Sequence, residues 1–320
     1  MLVNGHENCF ACRDNFCFSG IKNCDQGVET RMLFTLDHEG WQGIPHGGVA
    51  MTALLDLADH CWLRMKGENL TYPLEIDWRF ADSVTIGDEM GLEAIVKEDD
   101  SLFLSMRRQG SDKIYLSAEV KVATDIAKVD FPLLEPELLM ANRAKFEALA
   151  VYDNCFVCGL KRQKPGLRRR FFRLGTGCVS ELQAVVVRFG GGVGGSQLAA
   201  SFQQAKGVLH PGVLAALLDE LCGWSGVLAG DLYGYTVRFK LQLNRLPLLG
   251  EELFGGSPTP VVRGRGVRKF YFSQGALYQK NVDGSLEVVA VASGQWLARE
   301  ELRVQFDESH VPEDLTGIEF

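Results

Sequence analysis

Apolar and polar residues are arranged along the chain as two similar runs, each predicting one long helix followed by several strands. In the first run, residues 44–61 (IPHGGVAMTALLDLADHC) predict a helix that is apolar on most sides and rich in Ala and Leu, which are good helix formers. Apolar and polar residues then alternate with a period of two, as in strands, in LEIDWRFAD, EMGLEAIVKE, LFLSMRRQ and IYLSAEVKVA. A short strand, VETRMLFTL, precedes the helix.

The second run repeats this order far downstream. Residues 208–223 (VLHPGVLAALLDELCG) predict the second helix. The strand pattern returns before it in LRRRFFRL and VSELQAVVVRF, and after it in YTVRFKLQLNRL, EELFGGSPTPVV, VRKFYFSQGALYQK and LEVVAVASGQWLA. Asp283-Gly284 predicts the tip of the hairpin between the last two strands. The sequence therefore predicts that one structural unit occurs twice in the chain. The motif NCFAC, from Asn8, begins the first copy, and NCFVCG, from Asn154, begins the second.

The repeat defines the domain boundaries. Residues 1–130 form the first domain and residues 151–302 the second. Between them, 131–150 predict a linker helix, with Pro136 near its start, and 303–320 form an acidic tail. The glycine-rich segment 190–207 is interpreted as an insertion in the second domain, because no Gly-Lys-Ser/Thr follows to make it a phosphate-binding loop.

A single long helix followed by an antiparallel meander predicts an α+β fold in which each sheet wraps around its helix. Two such units in one chain can mimic the twofold symmetry of a homodimer. We therefore expect a pseudo-dimer of two similar domains.

Composition narrows the functional classes. The chain has 320 residues, of which 46% are apolar and 23% charged, as in a soluble globular protein. Its net charge of −8 disfavours nucleic-acid binding, and no apolar stretch reaches the roughly 18 residues of a membrane span. No signal-peptide pattern opens the sequence, so we expect a cytoplasmic location and treat the nine cysteines as free thiols.

The two helix starts, HGGVAMTALLD and HPGVLAALLDE, resemble the His-Gly-Gly helix start of hot-dog-fold acyl-CoA thioesterases of the phenylacetate-pathway type. CFVCGLKRQKPGL resembles the cysteine-containing opening of that family, and the resemblance covers nearly the whole chain. It implies two tandem hot-dog domains, an acyl-CoA substrate and no resident cofactor or metal, since coenzyme A enters as part of the substrate. Whether two such chains, each with two tandem domains, pair into a homodimer stays open.

The resemblance also implies which groups would act on a thioester. Hydrolysis builds negative charge on the carbonyl oxygen, which a backbone N–H at a helix N-terminus can stabilise, and it needs a carboxylate to activate water or to attack. In this family the N–H belongs to the residue after the His. The carboxylate lies eight residues further along the same helix and faces the helix start of the opposite subunit, and a hydroxyl in the next strand supports it. The first half supplies Gly47 but has Leu55 at the carboxylate position, whereas the second half has Pro211, which lacks an N–H, together with Asp219 and Thr236.

Each half thus lacks a different part, which predicts one composite site. Gly47 would polarise the carbonyl and Asp219 would act as base or nucleophile, assisted by Glu220, Thr236 and His46. Asp56 is one residue out of register, about 100° around the helix, and is expected to point elsewhere. The opposite crossing, Pro211 with Leu55, is expected to be inert.

Two basic stretches are candidates for binding the phosphates of coenzyme A. Residues 161–173 (KRQKPGLRRRFFR) hold seven basic residues and no acid, and Arg168 and Arg170 are the candidates there. The second set is Arg263, Arg265 and Arg268, followed by Lys269. A solvated edge strand kept apart by its charge is the alternative explanation for the first stretch.

Other interpretations stay open at this point. The paired cysteines could suggest zinc, although we expect metal-free packing because neither copy shows a second close pair. Each histidine could cap a helix, the acids could be solvated, and Thr236 could be an ordinary strand residue. As a whole, the chain could instead be a hot-dog hydratase or dehydratase, or a non-catalytic module that binds acyl-CoA or another lipid.

Overall fold

A computed structural model describes residues 11, 18, 20–137, 146–164, 166–174, 184–189, 202–205, 207–266 and 268–303. The first cysteine opening, most of the glycine-rich segment and residues 304–320 of the acidic tail lie outside the described residues. The helices are α1 (Gly47–Lys66), α2 (Pro211–Trp224) and the short α3 (Glu300–Arg303), with 3-10 helices at Leu36–His38 and Ser225–Ala229.

The strands fall close to the segments in which apolar and polar residues alternate. In the first half they are β1 (Lys22–Cys24), β2 (Gly27–Leu33), β3 (Glu39–Trp41), β4 (Ile44–Pro45), β5 (Leu74–Phe80), β6 (Glu89–Val96), β7 (Leu102–Arg108) and β8 (Ile114–Val122). In the second half they are β9 (Phe146–Ala148), β10 (Phe172–Leu174), β11 (Ala184–Phe189), β12 (Gln203–Ala205), β13 (Val208–Leu209), β14 (Gly234–Leu243), β15 (Leu253–Pro258), β16 (Val261–Arg265), β17 (Arg268–Lys280) and β18 (Leu286–Ala298).

One large antiparallel sheet joins the two halves through β5 and β14, where Trp78 is paired with Phe239. Outward from this junction the order is β5-β8-β7-β6-β2 on one side and β14-β18-β17-β15-β11 on the other. Each half therefore places its strands in the same order relative to its own helix. The predicted α+β class, a large antiparallel sheet with few helices, is confirmed.

The two long helices lie between the arms of this sheet. In α1 every residue from Gly48 to Trp62 is buried, because the sheet covers one side of the helix and α2 the other. This explains why the helix sequence is apolar on most sides rather than along one stripe. The segment Pro211–Ala229 is long and apolar enough to cross a membrane, but most of it is buried inside the fold, as core helices are.

Glycines allow the helices to approach closely. A Cβ atom on Gly48 would lie 2.4 Å from the Cα of Ala216, and one on Gly212 would lie 2.3 Å from Oγ1 of Thr52. Real Cβ atoms do not come this close to other heavy atoms, so these glycines fix the separation between α1 and α2.

Gly48→Ala is expected to lower the free energy of unfolding by about 1–3 kcal/mol, because the new methyl group must displace the backbone of α2. Gly223→Ala is the matched control, since its Cβ would meet nothing nearer than 3.6 Å, at Trp296. Urea denaturation of both variants measures the difference. Equal stability of the two would show that α1 can move away without loss.

Two sequence predictions about strands and linker need correction. Residues 146–148, assigned to the linker helix 131–150, form β9 and pair with β10, so the end of that segment is part of the sheet. The predicted strand over residues 251–262 is two strands, β15 and β16, because Thr259 and Pro260 between them are not in a strand.

Candidate active site

The start of α1 leaves one backbone amide available for a ligand. His46 is the N-cap, and its Nδ1 accepts the N–H of Gly48 at 2.8 Å. The N–H of Gly47 has no acceptor among the described residues, and Gly47 lines a cavity of about 250 Å³. A free amide at the positive end of a 20-residue helix is suited to stabilising a developing oxyanion.

The start of α2 has the same cap but not the same amide. His210 accepts the N–H of Gly212 at 3.0 Å, as His46 does for Gly48. Pro211 occupies the first helical position, where its fixed φ suits a helix but it has no N–H to donate.

The crossing of the helices brings Asp219 to the start of α1. A Cβ atom built on Gly47 would lie 3.0 Å from Oδ2 of Asp219, and the same oxygen is 3.7 Å from Nδ1 of His46. Oδ1 of Asp219 accepts a hydrogen bond of 2.7 Å from the Thr236 hydroxyl. Burial raises the pKa of Asp219 above its usual value, although His46 and the Thr236 hydrogen bond act in the opposite direction.

A β-bulge turns Thr236 toward Asp219. In β14 the side chains of Phe239 and Leu241 face the core, and strict alternation would put Thr236 on the opposite face. The pairing with β18 skips Val237, however, because Thr236 pairs with Trp296 and Arg238 with the preceding residue of that strand. The extra residue shifts the alternation by one, as bulges near functional sites commonly do.

Glu220 holds the His46 ring from the other side. Its Oε2 lies 2.9 Å from Nε2 of His46, and its Oε1 accepts hydrogen bonds from Trp224 Nε1 at 3.0 Å and from the Cys155 thiol at 3.6 Å. Burial opposes ionisation of both groups, but the hydrogen bond between them prevails. It lowers the pKa of Glu220 and acts to raise that of His46, although protonation of Nδ1 would cost the hydrogen bond from the Gly48 N–H. The Gly48 N–H at Nδ1 favours the tautomer that carries its proton on Nε2.

His46, Cys155 and Glu220 also form a group that could hold a metal ion, since their ligand atoms lie within 4.8 Å of one another. Ligation through Nε2 of His46 would require the ring proton to be on Nδ1, where the Gly48 N–H already points. The hydrogen bonding therefore fits a His–Glu pair better than a metal centre. Cys155 instead accepts the N–H groups of Val157 and Cys158, which shapes the turn of the CFVC motif.

A different set of side chains lies where the start of α2 faces α1, at the opposite crossing of the two helices. Asp56 is fully buried, with Oδ1 3.5 Å from Nε2 of His210 and Oδ2 3.7 Å from Nε2 of His60. Asp56 thus relates to His210 as Glu220 relates to His46. Leu55 is buried at the position equivalent to Asp219, and so this crossing has neither the helix-start amide nor the carboxylate.

All five predicted catalytic residues line the same cavity. They are His46, Gly47, Asp219, Glu220 and Thr236. Much of the remaining wall is aromatic and comes from both halves, including Trp41, Phe80, Tyr115, Trp224, Tyr271 and Trp296. The site is therefore largely apolar with a few convergent polar groups, as small-molecule sites generally are.

Sequence reasoning missed Cys155 and Trp224 as partners of Glu220. The spacing of Glu220 and Trp224, four residues apart on a helix, was the available signal for one of them. The contact of Cys155 with Glu220 spans 65 residues of sequence and had no local signal beyond the cysteine motif itself.

The predicted phosphate-binding residues are dispersed. Arg170 is buried, with only 4% of its surface exposed, so in this structure it has no surface to offer a phosphate, whereas Arg168 is exposed. The basic segment is partly structural: the Arg162 guanidinium donates to the carbonyls of Asn154 and Asp37 and so ties the second half to the first. Arg263, Arg265 and Arg268 are exposed on the hairpin of β16 and β17.

Comparisons with known proteins agree with this architecture. No protein-family model matches the chain, and no curated protein is similar to it in sequence. Among solved structures, an acyl-CoA thioesterase II from Mycobacterium marinum is similar with a TM-score of 0.52 at 11% identity, over 92% of this chain and 97% of that one. The dehydratase domain of RzxB from Pseudomonas fluorescens is similar with a TM-score of 0.55 at 13% identity, over 87% of this chain and 97% of that one.

A protein of unknown function with a hot-dog fold from Alicyclobacillus acidocaldarius is similar with a TM-score of 0.52 at 14% identity, covering 88% of this chain and 96% of that one. At these identities the similarity establishes the fold alone. The chain has a hot-dog fold, and the predicted resemblance is confirmed at that level.

Proposed function

We propose that the chain is a tandem pair of hot-dog units, related to each other as the subunits of a homodimer, which hydrolyses an acyl-CoA thioester at one composite site. The observation that carries this proposal is the shared cavity in which the free amide of Gly47 on α1 meets the carboxylate of Asp219 on α2. The acyl-CoA thioesterase among the similar structures supports the choice of substrate.

The chemistry follows from the two groups. The thioester carbonyl oxygen would accept the Gly47 N–H, and the dipole of α1 would stabilise the negative charge that develops there. Asp219 would take a proton from a water molecule whose oxygen adds to the carbonyl carbon. Collapse of the tetrahedral intermediate would break the C–S bond, and the leaving coenzyme A thiolate would take up the proton held by Asp219, which restores the carboxylate. Direct attack by Asp219 to form an anhydride, hydrolysed in a second step, is the alternative route.

His46 and Glu220 would act by positioning rather than by touching the thioester. His46 binds the N–H of Gly48, which leaves the neighbouring Gly47 N–H as the donor for substrate. Glu220 fixes the ring through Nε2. The oxyanion donor would thereby be selected before substrate binds, and preorganised donors of this kind need no rearrangement during the reaction.

A panel of acyl-CoA esters with a thiol-detecting reagent tests the proposal. Release of free coenzyme A with steady turnover is the expected result. Binding of the esters without thiol release would instead identify a non-catalytic acyl-CoA-binding protein. Hydration of an enoyl ester, measured as a loss of its ultraviolet absorbance, would identify the dehydratase class found among the similar structures. The cytoplasmic location and further pairing of the chain into a homodimer stay predictions.

The pH profile should report the environment of Asp219. Because burial raises its pKa, we expect kcat/KM to fall toward acid at a higher pH than for an ordinary aspartate, as the carboxylate becomes protonated. The Thr236 hydroxyl stabilises the charged form, so Thr236→Val should raise that pKa further and move the acid limb to higher pH. Thr236→Ser, which keeps the hydroxyl, should restore the wild-type limb, and an unchanged limb in the Val variant would contradict the assignment.

A further inference from the structure

The CFVC motif of the second half places two cysteines beside the candidate active site, and the proposed hydrolysis uses neither of them as a reacting group. Cys155 and Cys158 are free thiols, and each is only 1% exposed. Cys158 lines the cavity that also contains Gly47 and Asp219. A small molecule that enters this cavity therefore meets a wall to which a thiol belongs.

A tight turn holds the two thiols close together. The N–H groups of Val157 and Cys158 donate to Sγ of Cys155 at 3.3 and 3.5 Å. The N–H of Gly159 closes the turn by donating to the Cys155 carbonyl at 2.9 Å. The two thiols also hydrogen-bond to each other. Cysteines with this spacing form reversible disulfides in thiol-disulfide oxidoreductases, so the pair has the arrangement that such chemistry needs.

Arg170 supplies a positive charge near Cys158. Its guanidinium group is buried, has no hydrogen-bond partner among the described residues and interacts electrostatically with Cys158. A cation beside a cysteine favours the thiolate, which is the form that attacks a disulfide.

Burial has the opposite effect, because it raises the pKa of the Cys158 thiol. A dissolved oxidant that makes only brief contact with this thiol should therefore react slowly. The cavity is largely apolar and aromatic, so it can retain an organic molecule beside Cys158 better than a hydrated peroxide. These properties favour an organic disulfide that binds in the cavity as the reaction partner.

We propose that Cys158 is a modification site for low-molecular-weight disulfides that bind in the cavity, and that Cys155 then displaces the adduct. The inference goes beyond the proposed function, and the modification does not depend on thioester hydrolysis. The Cys158 thiolate attacks one sulfur of a disulfide R–S–S–R, which forms a mixed disulfide and releases RS⁻. Cys155 then attacks the Cys158 sulfur, which forms the Cys155–Cys158 disulfide and releases the second RS⁻. The two cysteines give up two electrons and two protons, and the two RSH molecules carry them away.

The disulfide would change the contacts of Glu220. In the reduced protein the Cys155 thiol donates to Oε1 of Glu220 at 3.6 Å, and the Cys158 thiol also hydrogen-bonds to this carboxylate. A disulfide has no S–H to donate, so both hydrogen bonds would be lost while those from Trp224 and His46 remain. Because Glu220 positions His46 at the start of α1, oxidation is expected to lower kcat/KM of the proposed thioesterase by about tenfold.

The test incubates the full chain with coenzyme A disulfide and, in a second arm, with glutathione disulfide. Mass spectrometry of alkylated peptides then reports the state of each cysteine. In the wild type we expect the Cys155–Cys158 disulfide. Cys155→Ser should instead accumulate the mixed disulfide on Cys158, whereas Cys158→Ser should leave Cys155 reduced. The faster arm identifies which of the two thiols, coenzyme A or glutathione, the cavity accepts.

Cys222→Ser is the matched control, because Cys222 is equally buried but does not line the cavity. This variant should form the Cys155–Cys158 disulfide at the wild-type rate. Cys24, which is partly exposed, reports how fast each disulfide reacts with a thiol directly from solution. Thermal unfolding verifies that each serine variant folds. Reduction of the oxidised wild type with dithiothreitol should restore its kcat/KM, which tests the switch without any substitution.

Several results would overturn the inference. In one, both disulfides modify Cys24 while Cys155 and Cys158 stay reduced. In another, Cys158→Ser is modified at Cys155 as fast as the wild type forms its disulfide, so that Cys158 is not the point of entry. Oxidised protein with full kcat/KM would contradict the effect on Glu220. If the reduced wild type hydrolyses no ester, the proposed function fails while the peptide map still decides the modification site.

Discussion

Asp219→Asn is expected to lower kcat for thioester hydrolysis by about 10³-fold, within the range that removal of a general base usually produces. The amide keeps the size of the carboxylate and can still hydrogen-bond to Thr236, so the cavity should retain its shape. It cannot accept a proton from water or attack the thioester carbon. Steady-state kinetics on an acyl-CoA substrate, with coenzyme A affinity measured separately, should show a loss in kcat and little change in binding.

Asp56→Asn is the matched control for this substitution. Asp56 is a buried helical aspartate in the opposite crossing, where it faces His210 and His60 rather than a free amide. Its replacement is expected to affect stability while kcat at the composite site stays within about threefold of wild type. Similar kinetic losses in the two variants would show that the halves do not divide the chemistry as proposed.

Gly47→Pro is expected to lower kcat/KM by about 10²–10³-fold, the usual effect of removing one oxyanion-hole donor. The substitution gives the first helix the His-Pro-Gly start that the second already has. His46 has φ −65° and ψ 132°, and His210 has φ −67° and ψ 132°, so the backbone before residue 47 is already suited to a following proline. We therefore expect α1 to form normally, which circular dichroism and thermal unfolding can verify.

Gly47→Ala distinguishes the loss of the amide N–H from the crowding caused by an added side chain. Either substitution adds a Cβ atom about 3.0 Å from Oδ2 of Asp219, but only proline removes the N–H. The alanine variant should therefore keep most of the activity that the proline variant loses. Equal activity of the two variants would mean that the Gly47 amide does not contact the carbonyl oxygen. Pro211→Gly, which restores the amide in the other crossing, should create no second site because Leu55 offers no carboxylate.

The repeat, the positions of the two long helices and the complementary defects of the two halves could all be predicted from local sequence. Helix starts, alternating strands and a proline without an N–H are properties of a few neighbouring residues, and they do not depend on what packs against them. The pairing of Gly47 with Asp219 was predicted by assuming that the two copies face each other, and the close approach of Gly48 to Ala216 is the contact that makes it geometrically feasible.

Other features depended on contacts between distant segments. Local sequence gave no sign of the bulge at Val237, because a strand's alternation is read as continuous until the register with its neighbour is known. Likewise local sequence gave no sign that Arg170 is buried, since a basic run is expected on the surface unless the packing of distant segments encloses it. The assignment of residues 146–148 to a helix failed for a similar reason, because pairing with β10 overrode their helical spacing.

By itself, the sequence predicted an α+β chain in which one unit occurs twice, with an N–H at one helix start and a carboxylate on the other helix. Only the tertiary structure decided that Thr236 turns toward Asp219 and that Cys155 and Trp224 hold Glu220 against His46. The physical reason is the distance along the chain over which each effect acts. Spacing and propensity act within a few residues, whereas register, burial and the sharing of hydrogen-bond partners are settled when segments far apart in the chain compete for the same space.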